Sequence, residues 1–321
     1  MDNKLTGTFD WYTRSTKDLL LYKNVPVPPN LYAQTLLNIG ELKNSGIELA
    51  LNYKVLNKSN LSWTTGIVFS TFKTEVVKLT NNAITEGKVF YTAGMGAPGQ
   101  NAFTLARVKE GQELGQIWGP VQEGVNANGT PKFKDFNGDG SYCDCDDDKT
   151  VIGNGLPKFT LGWNNSLTFG SFDLNMFLRG AFGHDLVNSY RGFYENREST
   201  TVGNYNIVNS KYYDPNITKA AVNSTHVEKA DFVKLDNATL GYTFKLKPGA
   251  AVSRFRMYLS GQNLFVITGY TGVDPEVRYV DRVDGDGGGQ PGDLDPFAPG
   301  IERRSTYFTT RTFTFGVNVG F

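Results

Sequence analysis

The chain has 321 residues, of which 39% are hydrophobic and 13% aromatic, and its 32 basic residues balance 32 acidic ones. This charge balance argues against a nucleic-acid-binding protein, which should carry a net basic surface. No uninterrupted apolar run of about 18 residues occurs, so the sequence excludes a transmembrane helix. It does not exclude transmembrane strands, in which only alternate residues are apolar.

Alternation of apolar and polar residues predicts eight strands along the chain. In the first, Leu5, Phe9 and Trp11 face one way and the intervening polar residues face the other. Because residues two apart share a face of a strand, each predicted strand has one apolar and one polar face. Two residues break the pattern, Phe177 on a polar face and Asn263 on an apolar one. The predicted strands cover residues 5–12, 46–55, 61–72, 159–169, 171–183, 232–246, 254–267 and 313–321.

The connections between these strands alternate strictly between short and long. The short ones are 57–60, the turn near Gly170, and 247–250; the long ones are roughly 14–43, 75–155, 185–229 and 268–305. Soluble domains seldom contain structureless connections of this length. Outer-membrane barrels have short turns on the periplasmic side and long loops outside. The pattern therefore predicts an all-β fold, an antiparallel transmembrane β-barrel wall with long extracellular loops and both termini on the periplasmic side.

The last strand supports the same interpretation. It ends the chain in an alternating aromatic stripe whose last residue is Phe321, as is common in outer-membrane barrels. On a soluble protein this stripe would be an exposed edge prone to aggregation, whereas against lipid it is an ordinary surface.

One segment carries the pattern of a twelve-residue calcium loop. Oxygen-bearing residues stand at positions 1, 3, 5 and 7, a glycine stands at position 6, where the backbone must turn sharply, and an acid stands at position 12. Calcium requires six to eight hard oxygen ligands, and this spacing wraps them around one point. The predicted ligands of a structural Ca²⁺ are Asp135, Asn137, Asp139, Ser141 and Asp146, and the glycine is Gly140.

The calcium motif departs from its usual form at two positions. Position 12 is an aspartate rather than a glutamate, and position 9 is Cys143, a soft ligand that calcium does not favour. The flanking residues look extended rather than helical, so a solvated Asp/Gly turn without metal stays an alternative. Cys143 and Cys145 stand so close that a bridge between them is expected to be strained.

Residue patterns of known catalytic sites do not occur. The two histidines, His184 and His226, lie in no zinc-protease pattern, and no nucleophile elbow or phosphate-binding loop is present. We therefore expect no enzyme, and the His184–Asp185 pair is interpreted as part of a loop rim. The glycine-rich segment 281–289 is interpreted as a flexible tip with weak metal affinity at most.

Several motifs resemble the SusC/RagA family of TonB-linked outer-membrane proteins. They run in the family's order over nearly the whole chain, and together they are specific. They comprise Asn38-Ile39-Gly40-Glu41, Asn44 to Leu49, the calcium-like stretch Phe133 to Asn154, Pro157-Lys158-Phe159, Phe232 to Tyr242, Ser260 to Phe265, Asp274-Pro275-Glu276, and Arg311 to Gly316.

The resemblance implies a 22-stranded barrel around an N-terminal plug, of which these would be the last eight strands. It also implies a SusD-like surface lipoprotein over the barrel, energy from a TonB–ExbB–ExbD complex, and a glycan or peptide cargo. The N-terminus shows no signal-peptide pattern. We therefore expect residues 1–321 to be the C-terminal part of a longer receptor, lacking signal peptide, plug and N-terminal strands.

The alternative hypothesis is a soluble protein. A calcium-binding β-sandwich adhesin or glycan-binding module would also show alternating strands and a calcium loop. The two hypotheses differ in where the apolar faces lie, since a sandwich packs them against each other and a barrel wall exposes them to lipid.

Overall fold

The protein is described by a computed structural model that covers residues 4–25, 27–80, 87–100, 103–249, 251–276, 297–304 and 307–321. Helices in these ranges are short: α1 (Ser189–Tyr194), α2 (Ser199–Val202), and 3-10 turns at Asp146–Asp148 and Ser224–His226. Within the described ranges, no helix has the length and apolar content needed to cross a membrane. The strands are β1 (Leu5–Asn24), β2 (Gln34–Lys58), β3 (Leu61–Lys78), β4 (Val89–Gly94), β5 (Thr104–Lys109), β6 (Gln112–Glu113), β7 (Gln116–Gly119), β8 (Gln122–Val125), β9 (Pro131–Phe133), β10 (Thr150–Asn154), β11 (Phe159–Phe169), β12 (Phe172–Phe182), β13 (Asp185–Asn188), β14 (Val227–Lys229), β15 (Phe232–Phe244), β16 (Arg254–Thr268), β17 (Ile301–Glu302) and β18 (Thr312–Gly320).

Eight long strands form one antiparallel sheet, which we call the wall sheet. Its order is β1-β2-β3-β11-β12-β15-β16-β18, so each long strand pairs with the next long strand along the chain. This confirms the predicted all-β fold and all eight predicted strands. The sheet does not close on itself in the described part of the chain, because β1 and β18 lie at its two edges.

The prediction of structureless long connections is wrong. Most of residues 14–43 belong to β1 and β2, which stay paired from Leu19–Gly40 out to Asn24–Gln34. Backbone pairing continues the hairpin there even though apolar and polar residues no longer alternate in the sequence. The other long connections contain three small sheets, β10-β7-β5-β4, β14-β13-β17 and β8-β9. The predicted glycine-rich tip at 281–289 lies outside the described residues.

The short strands and helices of these connections build a compact unit, which we call the cap: the described parts of 79–158, 183–231 and 269–311. The cap holds a buried hydrophobic cluster that includes Leu105, Ile117, Val187, Phe193 and Ile301. Apolar side chains of the wall sheet are exposed instead, with Trp11 at 67%, Phe313 at 66% and Phe315 at 62% of full exposure. A water-soluble domain buries such residues, so the wall sheet needs an apolar environment on this face.

Register shows how consistently the two faces are separated. One row of directly paired residues crosses seven neighbouring strands and is apolar throughout: Leu56, Trp63, Leu167, Leu174, Leu240, Leu259 and Phe315. The neighbouring row is polar throughout: Lys54, Thr64, Ser166, Asn175, Thr239, Ser260 and Thr314. Because a shift of one residue would exchange the two faces, the register of this sheet is strongly specified.

Irregular pairing explains one of the two residues that broke the alternation, Asn263, whereas Phe177 pairs in regular register with Asn164 and stays on the polar face. Asp236 of β15 has no direct partner on either neighbour, because the register shifts beside it against β12 and against β16. Phe177 lies next to this shift on β12, and Asn263 lies within it on β16 with a left-handed φ of 52°. Bulges of this kind redirect side chains, and asparagine tolerates the left-handed conformation better than most residues do.

Candidate functional site

The predicted calcium loop is a series of tight turns closed by side-chain oxygens. Both carboxylate oxygens of Asp135 accept backbone N–H groups, from Gly138 at 2.6 Å and from Gly140 at 2.8 Å. Asp139 accepts from the backbone N–H of Ser141 at 2.9 Å, and Asn137 accepts from that of Asp139 at 2.9 Å. Gly140 has φ +94°, as expected for the sharp turn at position 6. The structure therefore brings these four predicted ligand residues into one loop.

Asp146, the fifth predicted ligand, does not close this loop. Its carboxylate accepts hydrogen bonds from the hydroxyl of Tyr91 and from Nε1 of Trp118, which belong to β4 and β7. Asp148 takes the closing position instead and is fully buried. Its Oδ1 accepts the backbone N–H of Phe136 at 2.9 Å, and its Oδ2 accepts that of Cys143 at 2.7 Å.

The position of Asp148, two residues beyond Asp146, has a local cause. Cys143 and Cys145 form a disulfide with their Cα atoms 5.2 Å apart. The bridged segment and the following 3-10 turn, Asp146–Asp148, add two residues before the chain returns to the loop. The twelve positions of the motif, counted from Asp135, therefore end two residues before Asp148, the acid that faces the loop.

Electrostatics keep this loop anionic. The backbone N–H of Cys143, followed by those of Phe136 and Asn137, holds the pKa of Asp148 below its ordinary value. The backbone N–H of Ser141 and the side chain of Asn137 likewise lower the pKa of Asp139. Both groups are therefore carboxylates at neutral pH, as a hard cation requires.

A second site lies where the cap folds over the polar face of the wall sheet. A cavity of about 580 Å³ opens there, bounded by β3, β11 and β12 on one side and by cap residues such as His184, Pro275 and Pro299 on the other. Cavities of 300 to 1,000 Å³ are typical of small-molecule sites. Sequence reasoning missed this cavity, although Phe177, which lines it, stood out as an aromatic residue on a polar face.

An ion-pair cluster fixes one end of the cavity. Arg179 of β12 donates two hydrogen bonds to Glu276 of the cap, at 2.5 and 2.6 Å, and pairs with the bulged Asp236 at 3.2 Å. Lys234, which is almost fully buried, approaches Glu276 at 3.5 Å. Burial opposes ionisation of Glu276, but hydrogen bonds and charge from Arg179 outweigh it and lower its pKa. The cluster joins the cap to the wall sheet across 97 residues of sequence.

The two histidines serve separate parts of the cap. His184 Nε2 lies 3.2 Å from the carbonyl oxygen of Pro275, while the neighbouring Asp185 pairs with Lys229. His226 Nδ1 accepts the backbone N–H of Asn223 at 3.4 Å. Burial, and then the charge of Arg191, lowers the pKa of His226 to about 4.

Sequence comparison finds relatives over the whole chain. The chain is 30% identical to TonB-dependent receptor P3 of Formosa agariphila over 346 residues, which covers 100% of this chain and 33% of that protein. It is 27% identical to TonB-dependent receptor SusC of Bacteroides thetaiotaomicron, covering 87% of this chain and 28% of that protein. The chain thus spans about a third of the length of the curated relatives it matches. No family model matches it.

Solved structures share the fold. The RagAB peptide transporter superposes with a TM-score of 0.71 at 19% identity, covering 99% of this chain and 34% of that chain. The RagAB peptide importer in its open-open state gives the same TM-score at 17% identity, covering 100% of this chain and 33% of that chain. At these identities the likeness establishes the architecture of the wall sheet and cap.

Proposed function

This chain belongs to the SusC/RagA family of TonB-dependent receptors, and we propose that it forms part of the barrel wall of an outer-membrane nutrient importer. The observation that carries this proposal is the arrangement of the wall sheet. Its apolar rows are exposed on one face while its polar face meets the cap. In such a barrel the apolar face contacts lipid and the polar face lines the lumen.

The proposed protein is larger than these residues. Eight strands supply only part of a 22-stranded wall, and the edges β1 and β18 are where further strands would pair. We propose that the chain is the C-terminal part of that barrel. A plug and the contact with TonB–ExbB–ExbD would come from the remaining part, so no residue here is assigned to energy coupling.

The cap faces the cell exterior in this proposal, since it lies at the wall end opposite the short turns. It would therefore meet a SusD-like surface lipoprotein and the incoming cargo, an oligosaccharide or another nutrient such as a peptide. Support comes from family membership and from the folded nature of the cap, which presents a defined surface rather than free loops.

We also propose that the loop from Asp135 to Asp148 holds a structural Ca²⁺. The predicted ligands Asp135, Asn137 and Asp139 offer the hard side-chain oxygens that this ion prefers, and Asp148 closes the loop around them by accepting backbone N–H groups. The ion would neutralise negative charge of the loop and so stiffen this part of the cap. Ser141 would contribute its carbonyl oxygen, as position 7 does in such loops.

A charge-insertion pair tests the proposed membrane wall. We choose Leu240→Arg, in the apolar row, and Thr239→Arg, its neighbour in the polar row, each introduced into the chromosomal gene. An arginine facing lipid costs about 2–4 kcal/mol near the bilayer midplane. We expect the outer-membrane level of the protein to fall for Leu240→Arg and to stay near wild type for Thr239→Arg. Equal levels of the two variants, or a soluble wild-type protein, would contradict the proposal.

A further inference from the structure

A disulfide lies inside the proposed calcium loop, between the predicted ligand Ser141 and the closing acid Asp148. It joins Cys143 and Cys145, which are two residues apart in the sequence. Both cysteines are half-exposed, so a small molecule in solution can reach the bridge. Exposed disulfides are reduced by thiols more readily than structural ones are. The bridge is therefore open to chemical change in the folded protein.

The bridge borders the contact that closes the loop. The backbone N–H of Cys143 donates to Oδ2 of Asp148 at 2.7 Å, and the 3-10 turn that carries Asp148 begins directly after Cys145. The two sulfur atoms and a carboxylate oxygen of Asp148 all lie within 4.8 Å of one another. The segment from Cys143 to Asp148 is thus held twice, by a covalent bond at its start and by a hydrogen bond across it.

Two other acids of this segment are directed away from the loop. Asp144, between the cysteines, pairs with Lys149 at 2.8 Å and accepts the hydroxyl of Tyr142 at 3.3 Å. Asp146 accepts from side chains of β4 and β7. A covalent bridge across Asp144 restricts the backbone on both sides of it, so it helps to fix which acid faces the loop.

Reduction changes both the freedom and the hydrogen bonding of this segment. Opening the ring returns conformational freedom to the unliganded loop, and calcium binding then has to remove that freedom. Reduction also creates two S–H groups beside Asp148, and a thiol is a hydrogen-bond donor whereas a disulfide sulfur is not. These donors compete with the backbone N–H of Cys143 for the oxygens of Asp148. Both effects disfavour the closed loop.

We infer that the Cys143–Cys145 bridge is a redox-sensitive modification site whose state sets the calcium affinity of the loop. Its reaction partner is an external dithiol. The S–S bond of the protein breaks, an S–S bond forms within the dithiol, and two electrons and two protons pass from the dithiol to the sulfur atoms of the protein. The bridged loop binds calcium tightly and the reduced loop binds it weakly. This inference rests on the proposed calcium site and adds its regulation.

Calorimetry tests the effect of the bridge on calcium binding, with the full product of the gene purified in detergent and dithiothreitol as the dithiol. The calcium affinity should fall about tenfold on reduction, the size expected for loss of so short a ring. The paired substitutions Cys143→Ser with Cys145→Ser, and Cys143→Ala with Cys145→Ala, should bind like the reduced protein, with or without dithiothreitol. Two pairs are used so that misfolding of one does not decide the result.

Linkage predicts the reciprocal effect of calcium on the bridge, by the same factor. The protein is equilibrated in mixtures of reduced and oxidised dithiothreitol, and its free thiols are blocked with N-ethylmaleimide. Mass spectrometry of the tryptic peptide 135–149 then measures the reduced fraction. Saturating calcium should raise about tenfold the ratio of reduced to oxidised dithiothreitol at half-reduction. Asp139→Ala, which removes a calcium ligand, should abolish this shift and leave the bridge reducible.

The outcomes separate the inference from the calcium site on which it rests. Equal calcium affinity of the bridged and reduced proteins would overturn the inference and leave the calcium site standing. Absence of calcium binding in both forms would refute the site and the inference together. A bridge that dithiothreitol reduces only after the protein unfolds would also overturn the inference. A calcium-dependent shift that persists in Asp139→Ala would place the ion elsewhere and overturn the coupling.

Discussion

Asp148 accepts a hydrogen bond from the backbone N–H of Cys143 at 2.7 Å, and this contact closes a loop that begins at Asp135. Because Asp148 and not Asp146 faces the loop, calcium binding should depend on the former. Asp148→Ala should lower calcium affinity roughly tenfold or more, by analogy with other groups that orient metal ligands, while Asp146→Ala should change it little. Isothermal titration calorimetry at millimolar calcium measures both.

Asp148→Asn removes the negative charge of this side chain but keeps its size and one accepting oxygen. The amide oxygen can still accept one or two of the backbone N–H groups, so the fold of the loop should persist while affinity falls. If Asp146→Ala abolished binding and Asp148→Ala left it intact, the loop would have to rearrange on binding and its closure by Asp148 would be wrong. If Asp139→Ala left calcium binding intact, the site itself would be refuted.

His226 should make the cap sensitive to acid. Its folded pKa, about 4, is below the ordinary value of 6.5, so the folded state disfavours the protonated ring. This preference contributes roughly 3 kcal/mol to the free energy of unfolding. The contribution is present above pH 6.5 and is lost as the pH falls towards 4. His226→Gln, which keeps an acceptor for Asn223, should flatten this part of the pH profile. Unfolding of the cap followed by near-ultraviolet circular dichroism measures it, and identical profiles for both proteins would exclude this role.

Glu276 should be the strongest single link between the cap and the wall sheet. Glu276→Ala leaves Arg179 with only Asp236 and leaves the buried Lys234 without its carboxylate. Loss of charged hydrogen bonds of this kind costs about 2–3 kcal/mol, which thermal unfolding in detergent should detect. Lys219→Ala is the control, because the side chain of Lys219 is exposed in its pair with Glu198 and exposed pairs contribute at most about 1 kcal/mol. Equal effects of the two substitutions would mean that the cluster adds no more than a surface ion pair does.

Asn263 should tolerate only residues that accept a left-handed backbone. Its φ is 52°, within the bulge opposite Asp236. Asn263→Val should destabilise the protein by about 1–2 kcal/mol more than Asn263→Gly, since a β-branched residue is strained there. Both variants lose the hydrogen bond from Asn263 Nδ2 to Thr310, so their difference isolates the backbone effect. A valine variant as stable as the glycine variant would show that the bulge relaxes.

The sequence predicts the wall sheet well for a physical reason. Lipid on one face and polar groups on the other impose period two on every strand, and the pattern is visible without knowledge of partners. It predicts the cap poorly. The cap strands have two to six residues, which is too few for an alternation of apolar and polar residues to be recognised. Some of them also pair with segments far along the chain, as β13 does with β17.

The candidate sites likewise contain some residues that the sequence predicts and others that it does not. Asp135, Asn137 and Asp139 are predictable because each bonds within a few residues of itself. Asp148, which accepts backbone N–H groups of the loop, lies two residues beyond the twelve positions of the motif, so the motif does not include it. The cavity was missed because Arg179 and Glu276 meet across 97 residues, a pairing that depends on how the cap folds back onto the wall sheet.

Two neighbouring residues of β18 point to opposite faces of the wall sheet, and labelling them tests most directly whether one face contacts lipid. Phe315 lies in the apolar row and Thr314 in the polar row. Each is changed to cysteine and labelled with a fluorophore in outer-membrane vesicles, where the chain's own cysteines are bridged and do not react. The account predicts that brominated lipids quench the label at residue 315 and leave the label at 314 largely unaffected, while aqueous iodide reaches 314. Equal quenching of both labels by iodide, or lipid quenching at 314, would contradict a membrane wall with this orientation.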